Sequence, residues 1–117
     1  MSLIIPIRTE NLGAGIHKKP PVDRLIEGNP DIYVWDQDES LEGRVRSGVA
    51  SGTSGTTRSI KDGVCEVIHI LEGVVELTED GKEPLVFRAG DTFVMKPGFT
   101  GIWKTIEDFR KIFIIAA

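Results

Sequence analysis

The sequence predicts an all-β domain, either a barrel or a double-sheet jelly roll. Short apolar segments alternate with turn residues, and about ten strands fit into about 85 residues. The 117 residues include 13 glycines and 6 prolines, which suit many turns better than long helices. No segment shows the apolar periodicity of an amphipathic helix. A chain of this length is expected to form one domain around one core.

The N-terminal part of the chain is expected to be an arm, residues 1–21, and residues 22–117 are expected to form the barrel. Leu3 to Ile7 is apolar and resembles a strand. We expect the arm to add a strand to a sheet, within the chain or across a dimer, and a partly ordered tail is the alternative. Pro20-Pro21 ends the arm because two prolines stop regular structure.

The first elements of the barrel are short. Val22–Gly28 is compatible with one helical turn, and the alternation in Asp31–Trp35 predicts a strand. The acidic cluster Asp36–Glu39 is expected to be a solvated loop, since it lacks the pattern of a calcium loop. Gly43–Ala50 alternates again and predicts the next strand, and Ser51–Gly55 predicts a turn.

The middle of the chain holds the most apolar segment. Thr56–Ile60 predicts a strand, and Val64–Leu71 is nearly continuously apolar, as in a strand buried on both faces. Gly73 is expected to turn the chain, with Val74–Thr78 returning as a strand. Asp80-Gly81 is a strong hairpin signal.

The C-terminal part predicts four more strands. Pro84–Phe87 and Asp91–Met95 are short apolar segments, and a Pro97-Gly98 turn follows the second. Gly101–Ile106 and Phe109–Ile115 are expected to form a final hairpin around the acidic pair Glu107-Asp108. The pattern therefore continues to the last residues of the chain.

Charge and composition argue against several classes of partner. The net charge is −4 and the 14 basic residues are scattered, so nucleic acid is not an expected partner. No apolar run approaches the ~18 residues of a membrane span, and the N-terminus does not resemble a signal peptide. The lone cysteine, Cys65, favours a reducing cytoplasmic location.

Two spaced patterns in the central region resemble the motifs of the cupin family. Glu66 is followed by Gly73 after six residues, as at the end of the first cupin motif, and Gly90-Asp91 followed by Pro97-Gly98 resembles the second. Phe99–Trp103 resembles small single-domain cupins similar to the ethanolamine-utilisation cupin and to ureidoglycine aminohydrolase domains. The resemblance implies a single small cupin barrel with the jelly-roll fold.

The chain departs from the metal-binding members of that family. Those members usually carry His-x-His three or four residues before the motif glutamate. Here the corresponding positions are Ile60 and Asp62, or Ser59 and Lys61, and Gly101 stands where a third histidine would fall. We therefore expect no metal cofactor.

The remaining metal-ligating residues do not obviously replace those histidines. Glu66 and His69 are three residues apart and so point to opposite faces of a strand, whereas Cys65 shares the face of His69. A packing or interface role is expected for His69, and a buried inert thiol for Cys65. His17 lies in the expected arm and cannot be placed.

The candidate site residues follow from the resemblance and from strand alternation. Glu66 matches an interior motif position and is a candidate acid, base or substrate-orienting carboxylate, or one half of a structural ion pair. Lys111 is a candidate catalytic partner. The remaining candidates are ligand-binding residues: Trp103, Trp35, Arg44 and Arg58. The tryptophans could line a pocket or fill the barrel, and Arg46 is a further possible partner of Glu66.

Three functions remain open on this evidence. The first is binding of a small polar or anionic metabolite inside the barrel without metal. The second, implied by the resemblance, is a metal-dependent enzyme of ureide or ethanolamine metabolism. The third is a structural or regulatory subunit with a packed barrel. A homodimer is expected, with the face carrying Val67, His69 and Leu71 as its interface.

Overall fold

The computed structural model describes residues 2–117, and in that range every regular element is a β-strand. Nine strands form one curled antiparallel sheet. This confirms the all-β prediction with a single barrel-like domain. No helix in the described range could cross a membrane.

The strand bounds give the element order along the chain. The strands are β1 (Ile16–Lys18), β2 (Leu25–Gly28), β3 (Ile32–Ser40), β4 (Val45–Gly52), β5 (Gly55–Ile60), β6 (Cys65–Glu79), β7 (Leu85–Arg88), β8 (Thr92–Met95) and β9 (Thr100–Ala116).

Two long strands, β6 and β9, organise the sheet. They pair antiparallel from Cys65↔Ala116 to Glu79↔Gly101. The other edge of β9 pairs with β5 along its first part and with β4 along its second. The other edge of β6 pairs with β7 and β8 in the same way. Because two different short strands pair with the two ends of each long strand, the sheet can curl around one interior.

The predicted turn at Gly73 and the predicted final hairpin are both wrong. The chain continues through Gly73 as part of β6. It also continues through Glu107-Asp108 as part of β9. Gly73 has a φ of +89°, and the β6–β9 register shifts around it. The buried positions on β6 change from Ile68 and Ile70 to Val75 and Leu77, so the bulge keeps both halves of the strand facing the core.

The core lies between the two halves of the curled sheet. Its buried members are Ile68, Ile70, Val75, Leu77, Met95 and Phe109. Four aromatic residues pack against them: Phe87, Phe93, Phe99 and Trp103. Burial of this apolar surface is the main source of stability expected for a domain of this size.

Two shorter predictions also need correction. Val22–Gly28 is not a helical turn: a turn leads into β2, which pairs with β5. The acidic cluster Asp36–Glu39 is not a loop but the end of β3, with a register shift between Asp36 and Asp38. A bulge of this kind lets charged side chains stay at the surface while the strand continues.

The N-terminal segment crosses the outer surface of the sheet. Leu3 to Ile7 forms no strand, in contrast to the prediction, whereas β1 pairs with β3 of the same chain. Arg8 exchanges two hydrogen bonds of 2.8 Å with the Gln37 side chain. The indole Nε1 of Trp35 donates to the Gly13 carbonyl at 3.1 Å. These contacts attach residues 8–15 to the back of β3.

Candidate functional site

A cavity of about 700 Å³ opens on the inner faces of β4, β5 and β9. Residues 18–24, before β2, form part of its rim, and the inner side chains of β3 complete the wall. Volumes of this size are typical of pockets that hold small molecules. The lining of this cavity, which includes the buried carboxylate of Glu66, makes it the candidate site.

Glu66 lies at the inner end of this cavity and is only 4 % exposed. It belongs to the inward-facing series of β6 that continues with Ile68 and Ile70. Its two oxygens are held separately: Lys61 Nζ donates to Oε1 at 2.8 Å, and Lys111 Nζ donates to Oε2 at 2.9 Å. One carboxylate is thus bound between two ammonium groups.

The electrostatics of this group favour the ionised carboxylate. Burial by itself raises the pKa of Glu66, but the charges of Lys111 and Lys61 and their hydrogen bonds outweigh it. The net result is a pKa below the ordinary value of 4.5. With Glu66 ionised and both lysines charged, the three side chains carry one net positive charge.

The aromatic wall touches the same group. Lys111 Nζ lies 4.9 Å from the ring centroid of Trp103 and 5.8 Å from that of Phe109. The indole Nε1 of Trp103 donates to the hydroxyl of buried Thr105 at 3.0 Å, which fixes the ring. The ring faces add a cation–π attraction for the ammonium group.

The structure brings four of the six sequence-predicted site residues to the cavity and leaves two outside. Glu66, Lys111, Trp103 and Arg58 line it. The guanidinium of Arg58 is paired with Asp80, whose pKa the pairing lowers.

Trp35 and Arg44 lie outside the cavity lining. Trp35 contacts the N-terminal arm on the outer face of β3, since Ile32 and Val34 occupy the inner face. Arg44 is exposed in the turn before β4 and donates to the Leu41 carbonyl at 3.1 Å. Both positions follow from strand alternation and from the start of β4 at Val45.

Lys61 is the residue of the candidate site that sequence reasoning missed. It follows β5 and was not among the predicted site residues, yet its ammonium reaches Glu66. The available signal was its position: Lys61 is one of the four positions, in two alternative pairs, that correspond to the histidines of metal-binding members. A cation at that place, five residues before the motif glutamate, is what a carboxylate without metal requires.

The donor set does not fit a transition metal. Within residues 2–117 no group of three or more His, Cys, Asp or Glu side chains could hold a metal ion. His69 instead forms a 2.8 Å hydrogen bond with Thr92. The two ammonium groups at Glu66 would also repel a cation.

The fold and its interior cavity define a small cupin. The chain belongs to the EutQ-like cupin domain family, whose family model matches residues 39–113. This confirms the resemblance seen in the sequence. No curated protein matches the chain.

Solved structures with the same fold are distant in sequence. A protein with unknown function from Pseudomonas syringae pv. tomato has a TM-score of 0.80 and 22 % identity, covering 90 % of this chain and 45 % of that one. The Clostridium difficile EutQ protein has a TM-score of 0.64 and 20 % identity, covering 85 % and 73 %. A putative ethanolamine utilization protein Q from Salmonella typhimurium has a TM-score of 0.62 and 16 % identity, covering 76 % and 70 %.

These likenesses show the fold alone. The chain spans less than half the length of the Pseudomonas syringae protein.

Proposed function

We propose that this cupin binds a small organic anion in its interior cavity, and that Lys61 and Lys111 hold the anion without a metal. The observation that carries the proposal is the pair of ammonium groups on one buried carboxylate. A neutral or cationic ligand would gain nothing from the net positive charge of this group. A small anion would neutralise that charge.

The two lysines have donors left for a ligand. An ammonium group carries three N–H donors, and the described contacts use one from each lysine on Glu66. The side chains of Lys61 and Lys111 are 18 % and 15 % exposed, so water competes weakly for the remaining donors. Glu66 thus fixes the two cations in place, and the anion binds to their free side.

The lowered pKa of Glu66 favours a binding role over proton transfer. A general acid or base works best when its pKa lies near the working pH. The two lysines move the pKa of Glu66 in the opposite direction, away from neutrality. Glu66 therefore serves as a permanent counter-ion, and the size of the cavity argues against a barrel that is packed shut.

The test is calorimetric titration with acetate against acetamide, which has the same shape without the charge. We expect acetate to bind to the wild-type protein and acetamide not to bind. Lys61→Gln and Lys111→Gln should each weaken acetate binding by about tenfold, which corresponds to about 1.4 kcal/mol. Lys82→Gln, which changes a lysine outside this cavity, is the matched control. Equal binding of acetate and acetamide would refute the proposal.

We also propose that two copies of the chain associate through the outer face of β6. Val67 lies between Val94 and Ile114 across three neighbouring strands, and the latter two are exposed. Association would cover this apolar row. Light scattering should give twice the chain mass of 12.9 kDa, and Ile114→Glu should give the single-chain mass. A wild-type protein with the single-chain mass would refute the dimer.

A cytoplasmic location is the last element of the proposal. Cys65 is a free thiol, and unpaired cysteines are usual in reducing compartments. Cell fractionation of the natural source, followed by immunoblotting, would test it, and recovery in the periplasmic or secreted fraction would contradict it.

A further inference from the structure

We propose that the ligand is a short dicarboxylate, with one carboxylate on Lys61 and Lys111 and the other on Arg46. This inference rests on the proposed anion site and names its ligand class. It makes Arg46 the residue that distinguishes dianions from monoanions.

Arg46 lies in the same row of the sheet as Glu66. Arg46 pairs with Ile115 of β9, and Ile115 pairs with Glu66 of β6. Directly opposed residues share a face, and all three line the cavity. Neighbouring strands lie about 4.8 Å apart, so the backbones of Arg46 and Glu66 are separated by roughly 10 Å.

Lys111 reaches this row from further along β9. Its own register partners are Ala50 and Ile70, four residues away from the row. Its ammonium nevertheless lies 2.9 Å from Glu66. The cavity wall therefore has one cationic pole at Glu66, formed by two lysines, and a second at Arg46.

The two poles differ in how they are neutralised. Both lysines are bound to Glu66, and Arg58 is bound to Asp80. Arg46 makes no ion pair or side-chain hydrogen bond with any described residue, although it is half-buried. Glu39 is its register partner on β3, yet the two form no ion pair in the described range.

The charges and the wall between the poles specify the ligand. Arg46, the two lysines and Glu66 together carry two net positive charges, which a dianion would neutralise. Lys18, Asp23 and Arg24, on the rim before β2, also line the cavity and add one further positive charge. Between the poles the wall is apolar, with Ile115 and buried Phe113. A guanidinium binds a carboxylate through two parallel hydrogen bonds. The best ligand thus has two carboxylates joined by a short aliphatic spacer.

Arg46 and Glu66 lie two strand spacings apart in one row of the sheet, which favours a short spacer between the carboxylates. Malonate, succinate and glutarate have one to three methylene groups between their carboxylates, whereas pimelate has five. Inorganic phosphate is a compact dianion that can reach only one pole.

The experiment is calorimetric titration of the whole chain with succinate, propionate, pimelate and phosphate. Propionate has the spacer of succinate and only one carboxylate. We expect succinate to bind at least about tenfold more tightly than each of the other three. Arg46→Gln should remove this advantage while changing propionate affinity less than about twofold. Arg44→Gln, at an exposed arginine outside the cavity, should keep the advantage.

The outcomes separate this inference from the proposed function. Equal affinities for succinate and propionate in the wild-type protein would overturn the dicarboxylate inference and leave the anion site standing. An equal affinity for phosphate would also overturn it. Failure of every anion to bind would overturn the proposed function itself. Arg46→Lys, which keeps the charge and loses the paired hydrogen bonds, should retain part of the advantage if Arg46→Gln fails to fold.

Discussion

Glu66 on β6 and Lys111 on β9 form a 2.9 Å ion pair although they are not register partners. Glu66 pairs with Ile115, whereas Lys111 pairs with Ile70, four residues along the same strands. The lysine side chain therefore extends along the inner wall, past Phe113, to reach the carboxylate. Because the two residues are not register partners, the ion pair depends on the curvature of β6 and β9, which brings the two side chains together.

Removing this lysine should destabilise the protein. Breaking a fully buried pair costs about 3–5 kcal/mol, and we expect about 2–3 kcal/mol for Lys111→Met because its side chain is 15 % exposed. The measurement is urea unfolding near neutral pH. Lys82→Met is the control: its 4.0 Å pair with Glu79 is exposed, and less than about 0.5 kcal/mol should be lost. Equal losses of unfolding free energy in the two variants would show that the interior ion pair stabilises the protein no more than the exposed one.

Folding stability should depend on pH through Glu66. The pKa of Glu66 is lowered in the folded state, so the unfolded state takes up a proton first as the pH falls below the ordinary value of 4.5. The stabilisation by Glu66 is therefore complete above that pH and is lost below it, as the pH falls through the lowered pKa. Urea unfolding of wild-type protein and Glu66→Gln should show a stability difference that shrinks as the pH falls from about 7 to about 3.

The comparison with Glu66→Gln isolates one carboxylate. Asp31 and Asp80 also have lowered pKa values, through Lys19 and Arg58 respectively, but they are present in both proteins. Their contributions cancel in the difference. A difference that stays constant over the whole range, or grows as the pH falls, would contradict the assignment of the lowered pKa to Glu66.

The bulge at Gly73 should tolerate no side chain. Its φ is +89°, and an added Cβ would meet the backbone of Asp108 and Phe109 on β9. We expect Gly73→Ala to cost about 1–2 kcal/mol for the backbone conformation and further free energy for the contact. Gly81→Ala is the matched control, since Gly81 has a φ of +79° with open space around it. Thermal unfolding should show a clearly larger loss at Gly73, and similar losses would contradict the close approach of β6 and β9.

Trp35 should control attachment of the N-terminal arm. Its indole binds the Gly13 carbonyl and packs against Gly15. We expect Trp35→Ala to release residues 8–15, so that trypsin cuts after Arg8 faster than in the wild-type protein. Mass spectrometry of a digestion time course would measure this, with Trp103→Phe as a control on the opposite side of the sheet. An unchanged cleavage rate would show that Trp35 does not hold the arm.

The sequence predicted the all-β class, the family and the central carboxylate because these depend on local patterns. Alternation, glycine turns and the spacing from Glu66 to Gly73 can be read without a structure. The bulged continuation through Gly73 could not be read, because a glycine with positive φ serves a turn and a bulge equally well. Only the pairing with β9 distinguishes the two.

Only part of the candidate site was predicted, again because local patterns do not specify how the strands and loops are arranged in space. Alternation places Val34 and Trp35 on opposite faces of β3 but does not say which face is inside. The structure places Val34 at the cavity and Trp35 against the arm. Lys61 was missed because its contact with Glu66 depends on the course of the loop between β5 and β6, which local patterns do not specify.

The most direct test of the interior anion site is NMR of the lysine side-chain ammonium groups. Lys61 and Lys111 are shielded by Glu66 and the cavity wall, so their ammonium signals should be observable in ¹⁵N-lysine-labelled protein and assignable with Lys61→Gln and Lys111→Gln. We expect both signals to shift together as acetate is added and not to move with acetamide. Signals that do not respond to acetate, or that respond equally to acetamide, would contradict this expectation.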